Sequence, residues 1–312
     1  MTKPLVIYHA DCADGYGAAF AAWLKLGDEA EYLPMQYGDE RTKPVVYADR
    51  EVYILDFSFP RPVIEYIFGH ASRIVWLDHH ASAFEMWCGK YERGMFWPEE
   101  TTDERRYIRL DDNKSGAMLA WEYFHPGTEI PLLIQHIDDR DRWQFKLEGS
   151  KELHAALSSL KPWSFEQWRD LFMLEDHHGD GPFFIDEKCR VMRISGAAIL
   201  RAQDAAVAQA VKHARRVYVP CELSSPHFLD STANGLAVSC PLHQSEIGHE
   251  LANKSGTFGL IWYMKEDGSI ICSLRSNGDY DVSAIAKAFG GGGHKNAAGF
   301  QTDMQTLMGW LK

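Results

Sequence analysis

The tripeptide Asp78-His79-His80 places one carboxylate and two imidazoles directly after a run of apolar residues. That run, residues 74–77, contains β-branched side chains and predicts a strand that is buried on both faces. Open α/β sheets bind their ligands at the carboxyl ends of such strands. Carboxylate oxygen and imidazole nitrogen suit Mn²⁺, Zn²⁺ or Mg²⁺ better than a metal that prefers thiolates. The tripeptide therefore indicates metal-assisted chemistry, although two histidines that merely end a strand at the surface would have the same sequence.

A second set of metal-competent side chains follows the first predicted strand, residues 4–8. The sequence there reads His-Ala-Asp-Cys-Ala-Asp-Gly, which supplies His9, Asp11 and Asp14. Gly15 allows a tight turn, and an alanine-rich predicted helix comes next. Side chains in such a turn can reach one or two metal ions. Asp14 could instead serve only as a helix cap, so its part in the chemistry stays open at this point.

Further aspartates follow two other apolar runs. Residues 51–55 predict a strand, and Asp56 comes directly after it. A later apolar run leads into Asp138, Asp139 and Asp141, one of which could complete a metal site. A charged turn at the protein surface has the same composition, so these three aspartates remain competing candidates.

The predicted elements explain how these side chains could meet. Strands alternate with helices in the first half of the chain, which is typical of a parallel sheet with helices on both faces. The carboxyl ends of parallel strands lie at one edge of a sheet, so His9, Asp56 and Asp78 should approach one another. A second Asp-His-His, at residues 176–178, follows a helix-like segment and precedes a glycine- and proline-containing loop. We interpret that copy as a surface turn.

The C-terminal part of the chain has a different pattern. Residues 186–213 predict one long helix with an apolar stripe, and strands with short helices follow it. A run of four glycines leads into His294. The backbone N–H groups of such a loop can bind phosphate, although a flexible linker is the alternative. Arg275 and Ser276 end a preceding strand, and an arginine there could hold a phosphate or carboxylate through two hydrogen bonds.

Composition excludes several classes of protein. The chain has 312 residues, 46% of them hydrophobic and 24% charged, which is ordinary for a soluble globular protein of two domains. A net charge of −12 and the lack of a lysine/arginine run argue against general binding of long nucleic acids. No stretch approaches the ~20 apolar residues of a membrane span, and no signal peptide is evident. Six scattered cysteines form no Cys-x-x-Cys pair, so we expect a cytoplasmic protein.

Together these motifs resemble the DHH phosphoesterase superfamily, in the subfamily with a C-terminal DHHA1 domain and of the nanoRNase, pAp phosphatase and exopolyphosphatase-related type. The resemblance rests on Asp78-His79-His80, the segment from His9 to Gly15, Asp56, the aspartates around Asp139, and Arg275-Ser276 with the glycine loop. It implies an α/β protein with an active-site cleft between two domains. The implied parts are an N-terminal doubly wound parallel-sheet DHH domain (1–185), a connecting helix (186–214) and a smaller C-terminal α+β DHHA1 domain (215–312).

The resemblance also implies roles for individual residues. It implies two metal ions, usually Mn²⁺ with Mg²⁺ or Co²⁺ as possible substitutes, held by His9, Asp11, Asp14, Asp56, His79 and Asp139. The implied catalytic residues are Asp78, His79 and His80. The implied substrate-binding residues are Arg275, Ser276, Gly291, Gly292, Gly293 and His294. The usual first motif is His-x-Asp-x-Asp-Gly, whereas one extra residue separates Asp11 from Asp14 here, which leaves the part of Asp11 open.

The activity implied by the resemblance is a metal-dependent phosphodiesterase. It would hydrolyse short oligonucleotides or dinucleotides by two-metal activation of water. The expected partner is a short single-stranded oligonucleotide, a dinucleotide or another phosphate ester, with no membrane involved, and a homodimer is possible. An exopolyphosphatase or a pAp-type phosphomonoesterase is the alternative, and a non-catalytic nucleotide-binding module is a lesser one.

Overall fold

The chain folds into two compact units, Met1–Leu200 and Arg201–Lys312. A computed structural model describes residues 2–39, 45–99, 104–174, 183–184, 186–220 and 232–312. The second Asp-His-His copy, residues 176–178, lies outside the described residues. The domain boundaries expected from the sequence stay a prediction.

The first unit is built on a six-stranded sheet. Its strands are β1 (Leu5–His9), β2 (Glu31–Met35), β3 (Glu51–Leu55), β4 (Arg73–Asp78), β5 (Phe96–Glu99) and β6 (Arg106–Asp111). The strand order is β2-β1-β3-β4-β6-β5, and all pairs are parallel except β5 with β6. Because β1, β3 and β4 are parallel neighbours, their carboxyl ends lie side by side at one edge. A separate ribbon pairs β7 (Met173–Leu174) with β8 (Phe183–Phe184).

Helices cover both faces of this sheet. They are α1 (Ala13–Leu26), α2 (Arg61–His70), α3 (Ala81–Cys88), α4 (Gly116–Phe124), α5 (Leu132–Asp141), α6 (Ser150–Ser159), α7 (Phe165–Phe172) and α8 (Asp186–Lys212). Val75 and Leu77 of β4 belong to the core that contains α1 and α4, whereas Ile74 and Trp76 belong to the core with α2 and α3. Burial on both faces explains the unbroken apolar run before Asp78. The predicted doubly wound parallel sheet is therefore confirmed.

The second unit is a smaller α+β fold, also as predicted. Its elements are β9 (Arg215–Pro220), β10 (Thr232–Ser239), α9 (Gln244–Ser255), β11 (Phe258–Met264), β12 (Ile270–Ser276), α10 (Val282–Ala288), β13 (Gly292–His294), β14 (Ala297–Thr302) and α11 (Met304–Trp310). The six strands form one sheet in the order β13-β14-β12-β11-β10-β9, in which only β10 and β11 are parallel. A turn with Gly268 at a φ of 83° joins β11 to β12, as the hairpin sequence predicts.

The glycine run is not the open loop that its composition suggests, because part of it is a strand. Gly292 to His294 form β13 and pair with β14. A Cβ atom at Gly291 would lie 2.1 Å from the carbonyl oxygen of Gly299, and Gly293 has a φ of 135°. These glycines are needed because two backbones approach each other too closely for side chains.

The long helix α8 agrees with the predicted helix and contributes to both cores. Cys189 packs in the core of the first unit, whereas Val207 and Val211 pack with β10, α9 and β11 in the second. Within the described residues, every helix is too short or too polar to cross a bilayer.

Candidate metal centre

The sheet edge at the ends of β1, β3 and β4 gathers histidines around one buried carboxylate. Asp56 is only 1% exposed and follows β3 with a φ of 52°. Its Oδ2 atom lies 3.7 Å from Nδ1 of His9. Its Oδ1 atom lies 3.1 Å from Nε2 of His79 and 3.7 Å from Nδ1 of His80. The structure therefore brings together the ends of three strands that the sequence predicted to converge.

Two further carboxylates approach His79 from helices. Nε2 of His79 lies 3.5 Å from Oδ2 of Asp14, in the first turn of α1, and 3.5 Å from Oδ2 of Asp141, at the end of α5. Within the described residues, three groups have ligand atoms that all lie within 4.8 Å of one another: His9–Cys12–Asp56, Asp56–His79–His80 and Asp14–His79–Asp141. Asp56 and His79 each belong to two groups, so neighbouring metal ions could share them.

One oxygen of the central carboxylate has no hydrogen bond. Oδ1 of Asp56 is buried and accepts none from any residue that the structure describes. The imidazoles of His79 and His80 approach this buried oxygen, and a divalent cation among these atoms would compensate its charge more fully. With imidazole nitrogens and other carboxylates around it, the donor set fits a borderline or hard divalent ion. The residues present are therefore suited to the metal that the sequence predicted.

The buried carboxylates of the cluster lie close enough together to shift one another's pKa values and that of His79. Burial raises the pKa of Asp14 well above its usual value, and the nearby charges of Asp56 and Asp141 raise it further. Burial alone would raise the pKa of Asp56 too, but the adjacent His79 and His9 bring it well below the usual range. The pKa of His79 is raised despite burial, because carboxylates surround it. A bound dication would replace this repulsion with attraction.

The N-terminus of α4 holds Asp14 in place. The backbone N–H groups of Gly116 and Ala117 donate to the Asp14 carboxylate at 2.6 Å and 2.9 Å. Helix N-termini favour negative charge, so α4 partly offsets the repulsion within the cluster. A Cβ atom at Gly116 would lie 2.3 Å from Cβ of Asp56. Only glycine allows the end of α4 to come this close to the central carboxylate.

Asp78 lies behind the cluster and positions the histidine that follows it. The Asp78 side chain is fully buried and accepts hydrogen bonds from the backbone N–H of His79 at 2.7 Å and from the hydroxyl of Ser58. Its Oδ1 lies 2.6 Å from Nδ1 of His80. This pair fixes the orientation of the His80 ring against Asp56. Asp78 is thus placed to support the site, and His79 and His80 to face it.

Two of the predicted ligands lie elsewhere in the structure. Asp11 is exposed with a φ of 62°, and its carboxylate accepts a hydrogen bond from Gln36 at 3.1 Å. Asp139 is buried, and its carboxylate accepts from the backbone N–H of Lys146 and Leu147 and from Ser150. Neither belongs to the three metal-competent groups of the described residues. Those groups contain Cys12 and Asp141 instead, and the metal-binding roles of Asp11 and Asp139 stay predictions.

Local signals for both replacements exist in the sequence. Ile134, Ile137 and Asp141 have the i, i+3, i+7 spacing of one helix face, and Ile134 and Ile137 are buried. Helical phase therefore favours Asp141 over Asp139, whereas Asp138, four residues after Ile134, lies on the same side of α5 as Ile134. Cys12 is the N-cap of α1, and its Sγ accepts from the N–H of Gly15 at 3.1 Å. Counted back from Asp14, it stands where the usual motif has its first aspartate.

The predicted substrate-binding residues belong to the second unit. The Arg275 guanidinium donates to the carbonyl of Leu274 at 2.9 Å and to the hydroxyl of Ser245 at 3.1 Å. Ser276 is buried and donates to the carbonyl of Tyr280 at 2.6 Å. Together with Gly291, Gly292, Gly293 and His294, these residues keep their substrate-binding role as a prediction.

An exposed aromatic ring borders the cluster. Tyr37 is 51% exposed, and its ring stacks on Phe57 with centroids 5.0 Å apart. The same ring lies 5.5 Å from the ring of His9 and 6.3 Å from that of His80. A flat apolar face next to the proposed metal ligands can accept a planar group of a substrate.

Comparisons with known proteins agree with this architecture. Residues 242–308 match the family model of the DHHA1 domain. The "Uncharacterized protein R106" of Acanthamoeba polyphaga mimivirus is 28% identical over 312 residues, which is 95% of this chain but just 66% of that relative. Oligoribonuclease NrnB of Bacillus subtilis (strain 168) is 22% identical over 308 residues, 94% of this chain and 71% of NrnB.

A solved structure has a similar fold along most of both chains. The pGpG-specific phosphodiesterase PggH from Vibrio cholerae superposes with a TM-score of 0.50 at 12% identity, covering 97% of this chain and 94% of PggH. At that identity the likeness concerns the fold alone. The C-terminal family match and the NrnB similarity, together with a shared fold, support the resemblance of this chain to the DHH phosphoesterase superfamily with a C-terminal DHHA1 domain.

Proposed function

We propose that this protein is a metal-dependent phosphodiesterase that hydrolyses short oligonucleotides or dinucleotides. The observation that carries the proposal is the convergence of His9, Asp56, His79, Asp14 and Asp141, with a buried Asp56 oxygen that lacks a hydrogen bond. The names of two similar proteins, an oligoribonuclease and a pGpG-specific phosphodiesterase, support the substrate class.

The chain's own residues would each have a defined task. His9 and Asp56 would hold one ion, while Asp14, His79 and Asp141 would hold a second, with Asp56 between them. When bound at these residues, divalent ions would supply charge neutralisation and lower the pKa of water. The chain itself sets the distances between these ligand atoms, which all lie within 4.8 Å of one another in each group.

His80 would contact the phosphate rather than a metal. Asp78 holds the Nδ1 side of its ring at 2.6 Å, so the orientation of the ring is set before substrate arrives. Because Asp78 is fully buried and Ser58 also bonds to it, this pair is a rigid support. A preoriented imidazole at a developing phosphate charge costs no reorganisation during the reaction.

A nucleotide substrate is favoured over inorganic polyphosphate. The exposed face of Tyr37 lies beside His9 and His80, where it could stack with a base next to the scissile phosphate. Polyphosphate has no planar group for such a surface, whereas base stacking on an aromatic ring contributes about 1–3 kcal/mol per base. A pAp-type phosphomonoester would use the same surface, so pAp remains the second candidate substrate.

A substrate screen with matched variants tests the proposal. Purified protein with Mn²⁺, Mg²⁺ or Co²⁺ is assayed on pGpG, a short RNA, pAp and polyphosphate, with products separated by ion-exchange chromatography. We expect mononucleotides from the dinucleotide and RNA, and loss of turnover in His79→Ala and Asp56→Asn. His70→Ala, on the exposed side of α2, is the histidine control. Full turnover in both cluster variants, or nucleotide binding without turnover at saturating metal, would contradict it.

A further inference from the structure

A thiol sulfur lies among the nitrogen and oxygen ligands at the end of β1. Sγ of Cys12 is 3.6 Å from Nδ1 of His9 and 3.5 Å from Oδ2 of Asp56. Those two atoms are themselves 3.7 Å apart, so the three form a nearly equilateral triangle. The half-buried Cys12 is thus placed at the sheet edge where the histidines and acids converge.

The size of this triangle matches the separation of ligands around one tetrahedral ion. With metal bonds of about 2.3 Å for sulfur and 2.0–2.2 Å for nitrogen and oxygen, tetrahedral ligand atoms stand about 3.3–3.7 Å from one another. The observed separations of 3.5, 3.6 and 3.7 Å need adjustments of only a few tenths of an ångström. Three donors that already have this spacing require little reorganisation on binding.

The backbone at the start of α1 directs Sγ of Cys12 toward His9 and Asp56. Cys12 caps α1, and its Sγ accepts a hydrogen bond from Gly15 N at 3.1 Å. The preceding Asp11 has a φ of 62° and turns outward to Gln36, so its carboxylate does not fill the same place. Oδ1, the other oxygen of the same Asp56 carboxylate, is buried without a hydrogen bond and faces His79 and His80, which points to a cation on that side of Asp56 as well.

We propose that the thiolate of Cys12 is a metal ligand together with His9 and Asp56, which gives one of the two sites a sulfur donor. This inference rests on the proposed metal centre and deepens it. Sulfur favours Zn²⁺, Co²⁺ and Fe²⁺ over Mn²⁺ and Mg²⁺, which prefer oxygen. The two ions would then occupy unequal sites: a softer one that includes Cys12, and a harder one at Asp14, His79 and Asp141.

Cobalt absorption tests the sulfur bond without depending on catalysis. The full-length protein is stripped with a chelator and titrated with Co²⁺, and we expect thiolate-to-cobalt charge-transfer absorption in the near ultraviolet. Cys12→Ser should bind Co²⁺ but lack this absorption. Serine is a favoured N-cap residue, so α1 keeps its cap in this variant. Cys240→Ser, at another half-buried cysteine, is the matched control and should keep the wild-type spectrum.

Two further measurements make the test quantitative. Zn²⁺ should slow the alkylation of Cys12 while leaving that of Cys240 unchanged, as read from peptide masses. In Cys12→Asp, the ratio of Zn²⁺ to Mn²⁺ affinity should fall by about tenfold or more, because oxygen replaces sulfur. If wild type and Cys12→Ser both bind Co²⁺ with identical spectra, the sulfur ligand is refuted but the metal centre stands. If neither protein binds Co²⁺, the proposed function fails as well.

Discussion

The close approach of α4 to Asp56 gives a prediction in which two effects have opposite signs. Gly116 lies in the first turn of α4, where replacing glycine with alanine should by itself stabilise a helix by up to about 1 kcal/mol. A Cβ atom there would, however, lie 2.3 Å from Cβ of Asp56 and 2.8 Å from its Oδ1. Non-bonded carbons normally stay about 3.5–4.0 Å apart, so Asp56 or α4 must move by more than about 1 Å.

The expected magnitudes follow from that displacement. Overpacking of this kind costs about 1–3 kcal/mol, so Gly116→Ala should lower the free energy of unfolding despite the better helix former. A misplacement of about 1 Å at a reacting centre can cost about 100-fold in rate. We therefore expect kcat/KM to fall by about 100-fold and metal affinity to weaken. Alanine keeps the backbone N–H of residue 116, so the donor of the hydrogen bond to Asp14 is not removed by the substitution.

Three measurements on two variants decide the outcome. Urea unfolding gives the stability of the metal-free protein, calorimetry gives metal affinity, and turnover of pGpG gives activity. Gly69→Ala is the control, because Gly69 lies in α2 with no atom within 4 Å of the added Cβ, and it should be neutral or slightly stabilising. A Gly116→Ala protein that is more stable than wild type and binds metal equally well would refute the proposed geometry.

The remaining predictions concern a ligand, a substrate contact and a buried histidine. Asp141→Asn should weaken metal binding in calorimetry by about tenfold or more. Asp139→Asn should instead lower stability in urea by about 1–3 kcal/mol with metal affinity kept, because its carboxylate satisfies buried donors; the reverse pattern would restore Asp139 as the ligand. Tyr37→Ala should raise KM for pGpG about tenfold and leave polyphosphate hydrolysis unchanged, unlike Tyr66→Ala on α2, which should change neither. Burial and nearby basic charges lower the pKa of His154 from 6.5 to about 3, so unfolding takes up a proton in that range. Stability should therefore fall by about 1.6 kcal/mol from pH 6.5 to pH 5, and His154→Gln should lack this loss.

The sheet and the residues at its strand ends could be predicted from the sequence because their placement depends on periodic patterns. An unbroken apolar run before Asp78 requires burial on both faces, and burial on both faces requires helices above and below a parallel sheet. Once β1, β3 and β4 are parallel neighbours, His9, Asp56 and His79 must emerge at the same edge. The convergence of these residues can therefore be predicted from the strand order alone, without knowledge of side-chain conformations.

The choice among adjacent side chains could not be predicted in the same way, because single torsions and hydrogen bonds decide it. Asp11 points away because its own φ is 62°, and nothing in a run of His, Asp and Cys residues specifies that value. Asp139 is engaged by N–H groups of residues 146 and 147, which lie in the segment after α5. The directions of these two carboxylates therefore depend on backbone conformation, at Asp11 itself and in the segment after α5, that the motif does not specify.

Asp14 illustrates why a cap and a ligand cannot be distinguished by sequence pattern. Cys12, not Asp14, caps α1, and the Asp14 carboxylate instead binds N–H groups at the start of α4, about a hundred residues later in the chain. That helix end stabilises the negative charge of Asp14, whereas burial and then the charges of Asp56 and Asp141 oppose it and raise the pKa of Asp14. The close packing of Asp14, Asp56 and Asp141 does not by itself stabilise the folded protein, even though the N-terminus of α4 binds one of them. The arrangement is understandable if a cation completes it, which is the physical reason to regard these acids as ligands rather than as caps.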